Sequence, residues 1–170
     1  MKIAALVLAI VGGLAVGTQP LLNGALGRTR GVLEAVFVSI TVSFAAVVLL
    51  LAAQTARGSP LGLPFSIRSA IALAGAVLLA ALTLALVGRA IAPWYFTAGL
   101  LGLVVLVAGT VATPILGVGV TTAALTAGQL GIAIVWDQIG VLGLPEVPIS
   151  PQRVLGILLV IVGVVLIRGL

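Results

Sequence analysis

Long apolar runs, interrupted at intervals by glycine, proline and single arginines, dominate this chain. Six of them approach or reach the ~20 residues that a helix needs to cross about 30 Å of hydrocarbon: residues 3–22, 33–53, 69–88, 93–113, 118–136 and 151–167. The last is the shortest, with fourteen residues between Arg153 and Arg168. Arginines at its two ends can snorkel to opposite interfaces, and Ser150-Pro151 places a cap and a first-turn proline at its start. Residues 54–68 hold Gly58, Pro60, Gly62 and Pro64, and residues 137–150 hold Gly140, Gly143, Pro145 and Pro148, so both read as loops. Arg89 to Ala92 leaves room only for a tight turn. The pattern predicts an all-α, polytopic transmembrane helix bundle of six spans, a single domain over residues 1–170. Lys2, the apolar run after it and Ala15-Val16-Gly17 have the outline of a signal peptide. The spans that follow favour an uncleaved first transmembrane helix.

Composition agrees. Hydrophobic residues make up 62% of the chain and charged residues 6%, against about 25% charged in a soluble domain. The net charge of +5 comes from eight basic and three acidic residues. The basic residues stand singly between apolar runs, which suits membrane-flanking anchors and not a nucleic-acid surface. With no cysteine and no histidine, thiol chemistry, Cys/His zinc sites and histidine bases are excluded. Orientation is poorly specified. Six spans put Lys2, Arg57, Arg68 and Arg168 on one side and Arg28, Arg30, Arg89 and Arg153 on the other. Without a crossing at 69–88, Lys2, Arg57, Arg68, Arg89 and Arg153 face Arg28, Arg30 and Arg168. Such a chain could insert both ways up, and an antiparallel homodimer would then recreate an inverted repeat.

A polar side chain in hydrocarbon needs a partner or a cavity. Gln19 and Asn23 are four residues apart on one helix face; Ser39 and Ser43 repeat the spacing, and Thr122, Thr126 and Gln129 form a third stripe. These stripes either line a polar cavity or bond helices together. Gly13 and Gly17 make a small-xxx-small pattern, and Pro20 deprives the Val16 carbonyl of its donor, predicting a kink beside the two amides. That kink suits either a discontinuous binding helix or packing alone. Of the acids, Glu34 opens the second span and Asp137 closes the fifth. Either is a candidate proton-coupling group, while Glu34 also suits a helix N-terminus and Asp137 an ion pair with an arginine. Glu146 reads as solvated. No nucleophile–base pair, carboxylate pair or phosphate loop is present, so no enzyme is expected and no cofactor.

Gln19-Pro-Leu-Leu-Asn23, Gly24-Ala-Leu-Gly27 and Glu34-Ala-Val-Phe-Val-Ser39 resemble the opening of the YdcZ family, a small-protein branch of the drug/metabolite transporter superfamily. Pro93-Trp94, Gly99-Leu-Leu-Gly102, Pro114-Ile-Leu-Gly117, Ala127-Gly128-Gln129 and Asp137-Gln-Ile-Gly140 are similar to its second half. Residues 151–170, with Arg153, Gly156 and Gly163, are similar to its last helix. The resemblance implies a five-helix half-transporter, a homodimer or pairing with a paralogous subunit, and export of a small molecule across the bacterial inner membrane. Residues 69–88 depart from it as an additional apolar stretch, and hydropathy favours their crossing. The resulting expectation is a secondary transporter working by alternating access, with Gln19, Asn23, Gln129 and Thr126 toward the substrate. The alternative is a non-transporting scaffold or accessory subunit. Amides and hydroxyls suit a neutral polar solute or a cation better than an anion.

Overall fold

The computed structural model describes residues 1–58, 62 and 69–168. Most of the loop expected at 54–68, with Arg68, therefore lies outside the described residues. Six α-helices follow one another: α1 Lys2–Arg30, α2 Val32–Ala56, α3 Ala70–Val87, α4 Thr97–Leu116, α5 Val118–Ile139 and α6 Pro151–Arg168. A 3₁₀ turn, Pro93–Phe96, leads into α4, and another, Val141–Gly143, follows α5. Four helices are long and apolar enough to cross a membrane, namely α1, α2, Pro93–Leu116 and α5, while Ile71–Val87 and Pro151–Leu166 are shorter apolar helices. Helices α1, α2 and α5 outrun the apolar stretches that announced them, whereas α3 falls just short of residues 69–88. α1 has 29 residues, about 43 Å at 1.5 Å per residue, because the arginine-bearing last turns stay helical beyond the hydrocarbon limit. It is not discontinuous at Pro20; helix continues on both sides of the ring.

Two helix pairs are joined by a single glycine. Gly31 (φ 96°, ψ 151°) separates α1 from α2, and its N–H donates to the Gly27 carbonyl at 2.9 Å. Gly117 (φ 83°, ψ 159°) separates α4 from α5 and donates to the Thr113 carbonyl at 2.9 Å. Positive φ at these positions reverses the chain within one residue, at little cost only for glycine.

α1 lies at the centre, packed most extensively on α5 and α4 and also on α2; α3 leans on α2 and α6 on α5. Lipid tails are as apolar as leucine, so helices associate here by close packing of small residues. The buried positions accordingly include Ala5, Ala9, Ala112 and Ala124 in one cluster, and Leu26, Ala35, Val38 and Ile91 in another. Large apolar side chains such as Leu78, Leu82, Leu158 and Leu166 point outward, an arrangement that requires a lipid solvent.

Contacts give the chain direction. The Arg30 guanidinium donates to the Arg89 carbonyl at 3.2 Å, and Arg28 donates to the carbonyls of Leu142 and Gly143 at 2.8 and 2.7 Å. The ends of α1, α3 and α5 therefore share one end of the bundle. The other end holds the start of α1 and the end of α4, where Ala5 and Ala9 meet Ala112.

Candidate functional site between helices 1 and 5

The closest helix crossing creates the site. A Cβ on Gly13 would run into the Leu125 carbonyl and lie 2.9 Å from Gly128 Cα, and one on Gly128 would lie 3.1 Å from Gly13 Cα and from Leu14 N. Backbone thus touches backbone, and the next turns of the two helices flank a groove. Gly17, Pro20 and Leu21 of α1 face Gln129, Leu130, Ala133, Trp136 and Asp137 of α5, with Leu144 at the mouth, around a cavity of about 340 Å³.

Its polar groups are held from behind. Trp136 Nε1 donates to Thr18 Oγ1 at 3.0 Å, and that hydroxyl donates to the Leu14 carbonyl at 2.8 Å. Asp137 forms an ion pair with Arg153 at the start of α6. Arg153 also donates to the Val147 carbonyl at 3.0 Å, the Val147 N–H donates to the Asp137 carbonyl at 2.8 Å, and the Ile149 N–H donates to Gln138 Oε1 at 2.7 Å. The α5–α6 connection is thereby laced onto the end of α5. Both members of the ion pair are partly exposed, so the pairing contributes at most about 1 kcal/mol. Its main effect is to aim the carboxylate.

A second groove of about 380 Å³ lies on the other side of the exposed Pro20, lined by Asn23, Gly24, Gly27 and Arg28 of α1 and Val32, Ala35 and Val36 of α2. Pro20 is the ridge between the two. Gln19 turns away from both, toward α4: a Cβ on Gly102 would meet Gln19 Nε2 at 3.0 Å and Ser43 Oγ at 3.4 Å. Thr126 is half-buried on α5, off the lining of the first groove. Glu34 pairs with Arg30 at 3.1 Å and does not line either groove. Gln129 and Asp137 thus come together, Asn23 adjoins them across Pro20, and Gln19, Thr126 and Glu34 lie elsewhere.

Hydroxyls and amides behave differently. Thr18, Thr41, Ser43, Thr55, Thr83 and Thr121 each donate to the carbonyl four residues earlier, and Ser43 Oγ also lies 2.7 Å from the Gly99 carbonyl of α4. The side-chain amides of Gln19, Asn23 and Gln129 have no hydrogen-bond partner among the described residues. They do not bond helices together and keep donors and acceptors for something else. Sequence reasoning missed two contributors. Trp136 entered it only as the end of a span, although an indole at an interface usually seeks an acceptor. Arg28 entered as an anchor, whereas it braces the loop beside the groove mouth.

No curated protein and no solved structure matches the chain. A family model described as "Putative inner membrane exporter, YdcZ" matches residues 4–166. An apolar helix bundle with a partly polar groove is what a multi-pass exporter of the inner membrane requires, and the match runs through all six helices: the chain belongs to the YdcZ family of the drug/metabolite transporter superfamily.

Proposed function

We propose that this inner-membrane exporter carries a small neutral polar or cationic solute by alternating access, and that the α1–α5 groove is where the solute binds. The observation that supports this most is the meeting of Gln129, Trp136 and Asp137 on otherwise apolar walls, with the Gln129 amide unpartnered. The amide supplies a donor and an acceptor, the indole an aromatic face, and the carboxylate a charge attractive to a cation. Asn23 contributes from the adjoining groove, while Gln19 and Thr126 lie along the path beyond. All six helices cross, α3 and α6 despite their shortness. Pairing with a second copy, antiparallel or not, or with a paralogous subunit belongs to the same proposal, and the outward apolar faces of α3 and α6 offer surface for it.

Purified protein in liposomes, assayed with a panel of labelled neutral polar metabolites and organic cations, should give flux that saturates with concentration. Flux that rises without saturating would indicate a channel, and no flux together with stable co-purification of a larger partner would indicate an accessory subunit. We further propose Asp137, and secondarily Glu34, as the proton-coupling group. Asp137→Asn should abolish the pH dependence of export; unchanged pH dependence in both Asp137→Asn and Glu34→Gln would exclude proton coupling through either.

A further inference from the structure

The two single-glycine helix junctions are copies of one another. Residues 31 and 117 differ by 86 in number and share nearly the same φ and ψ. The same offset relates their surroundings. Gly13 of α1 is pressed on the Leu125 carbonyl and Gly128, and Gly99 of α4 on the Ser39 carbonyl and Val42. The pairs 13 and 99, 39 and 125, and 42 and 128 are each 86 apart. Burial follows the same rule. The buried residues of α4, Ala98, Gly99, Ala108 and Ala112, correspond to Gly12, Gly13, Leu22 and Leu26, all buried in α1. Those of α5, Thr121, Ala124 and Gly128, correspond to Ala35, Val38 and Val42, all buried in α2. In each half the third helix packs on the second, α3 on α2 and α6 on α5. Because each half has three helices, the second traverses the bundle in the opposite sense.

The grooves obey the relation as well. Gly17, Pro20, Leu21, Ala133, Trp136 and Asp137 of the α1–α5 groove map onto Leu103, Leu106, Val107, Val47, Leu50 and Leu51. All six line another groove of about 350 Å³, between α4 and α2 at the opposite end of the bundle. At the equivalent positions the polar set is present only once: Gln129, Trp136 and Asp137 correspond to Ser43, Leu50 and Leu51, and the polar side chains of the second groove are Gln54 and Thr110 instead.

We propose that the chain is a pair of inverted three-helix repeats, and that the α2–α4 groove is the second mouth of the path whose first mouth is the α1–α5 groove. The same small solute meets the amide, indole and carboxylate at the first mouth and leaves at the second past mostly apolar walls that carry only Gln54 and Thr110 as polar side chains, with Gln19, set between α1 and α4 beside Gly102, on the way. Inverted repeats within one chain exchange conformations when access alternates, so an antiparallel second copy is not needed to supply the missing half. This inference rests on the transporter reading for the solute, but its test does not need one.

The chain has no cysteine, so Ala133→Cys and Val47→Cys give single reporters, one per mouth, for a membrane-impermeant maleimide. Each should label from a different face of the membrane. Trp136→Ala removes the indole that ties α5 to Thr18 and should raise labelling at Ala133→Cys while lowering it at Val47→Cys, each by about twofold or more, as a population shift demands. Leu50→Trp, filling the equivalent position, should do the same from the other end. If one background fails to insert, the other decides. Labelling of both reporters from one face, or a response confined to the mutated mouth, overturns the proposal. Reciprocal labelling without saturable flux would retain the repeats and remove the transporter reading; saturable flux without reciprocity would do the reverse.

Discussion

Gly128→Val should all but eliminate folded protein from detergent extracts, while Gly131→Val, one turn along the same helix, should leave it intact. A Cβ at position 128 meets backbone, the Ile10 carbonyl, Gly13 Cα and Leu14 N, whereas at Gly131 nothing lies within 4 Å. Overpacking against side chains commonly costs about 1–3 kcal/mol because rotamers can adjust. Backbone cannot adjust without separating the helices, and α1 against α5 is among the largest contacts of the bundle, so a cost at or above the upper end of that range is expected. In lipid no hydrophobic force pulls the helices back together. Thermal unfolding followed by size-exclusion chromatography would check this, and similar behaviour of the two variants would mean that the α1–α5 crossing is not the main packing contact.

Gln129→Ala should lower export about tenfold or more while insertion and thermal stability stay near those of the native chain. The amide has no protein partner among the described residues, so its removal should cost the fold little. A solute polar group left without its partner in the groove costs about 1–3 kcal/mol, and each 1.4 kcal/mol is tenfold. Thr122→Ala, an exposed position two turns earlier on the same helix and off the groove lining, is the matched control and should leave export unchanged. Initial rates of efflux from loaded liposomes measure both. Equal rates for the two variants would move the binding site away from α5.

Much of the scaffold could be read from the chain because the length of an apolar run is what membrane thickness demands. The runs gave the helices and their order, but nothing in them marked Gly31 and Gly117 as the single-residue junctions they are. The site was readable only in part. Gln129 and Asp137 are two turns apart on one helix and were bound to share a face. Which of Gln19 and Asn23 would join them depended on how α1 rolls against α4 and α5, and that is set by Gly13, Gly17 and Gly128. With 22 glycines in the chain, sequence alone does not say which of them touch backbone. The repeat was hidden for a related reason. Helix crossings constrain size rather than identity, so Gly12 and Ala98, or Leu22 and Ala108, serve equivalent positions with different residues. Gly13-Leu14 with Gly99-Leu100, and Gly31-Val32 with Gly117-Val118, are among the few identities left.

The number and direction of the membrane crossings underlie both the grooves and the repeat, and reporter fusions determine them. Alkaline phosphatase and green fluorescent protein would be fused after residues 31, 58, 89 and 140 and at the C-terminus. Fusions after 31, 89 and 140 should report one face of the membrane, and those after 58 and at the C-terminus the other. If fusions after 58 and 89 report the same face, α3 does not cross, the two halves are not inverted, and the grooves do not open at opposite faces.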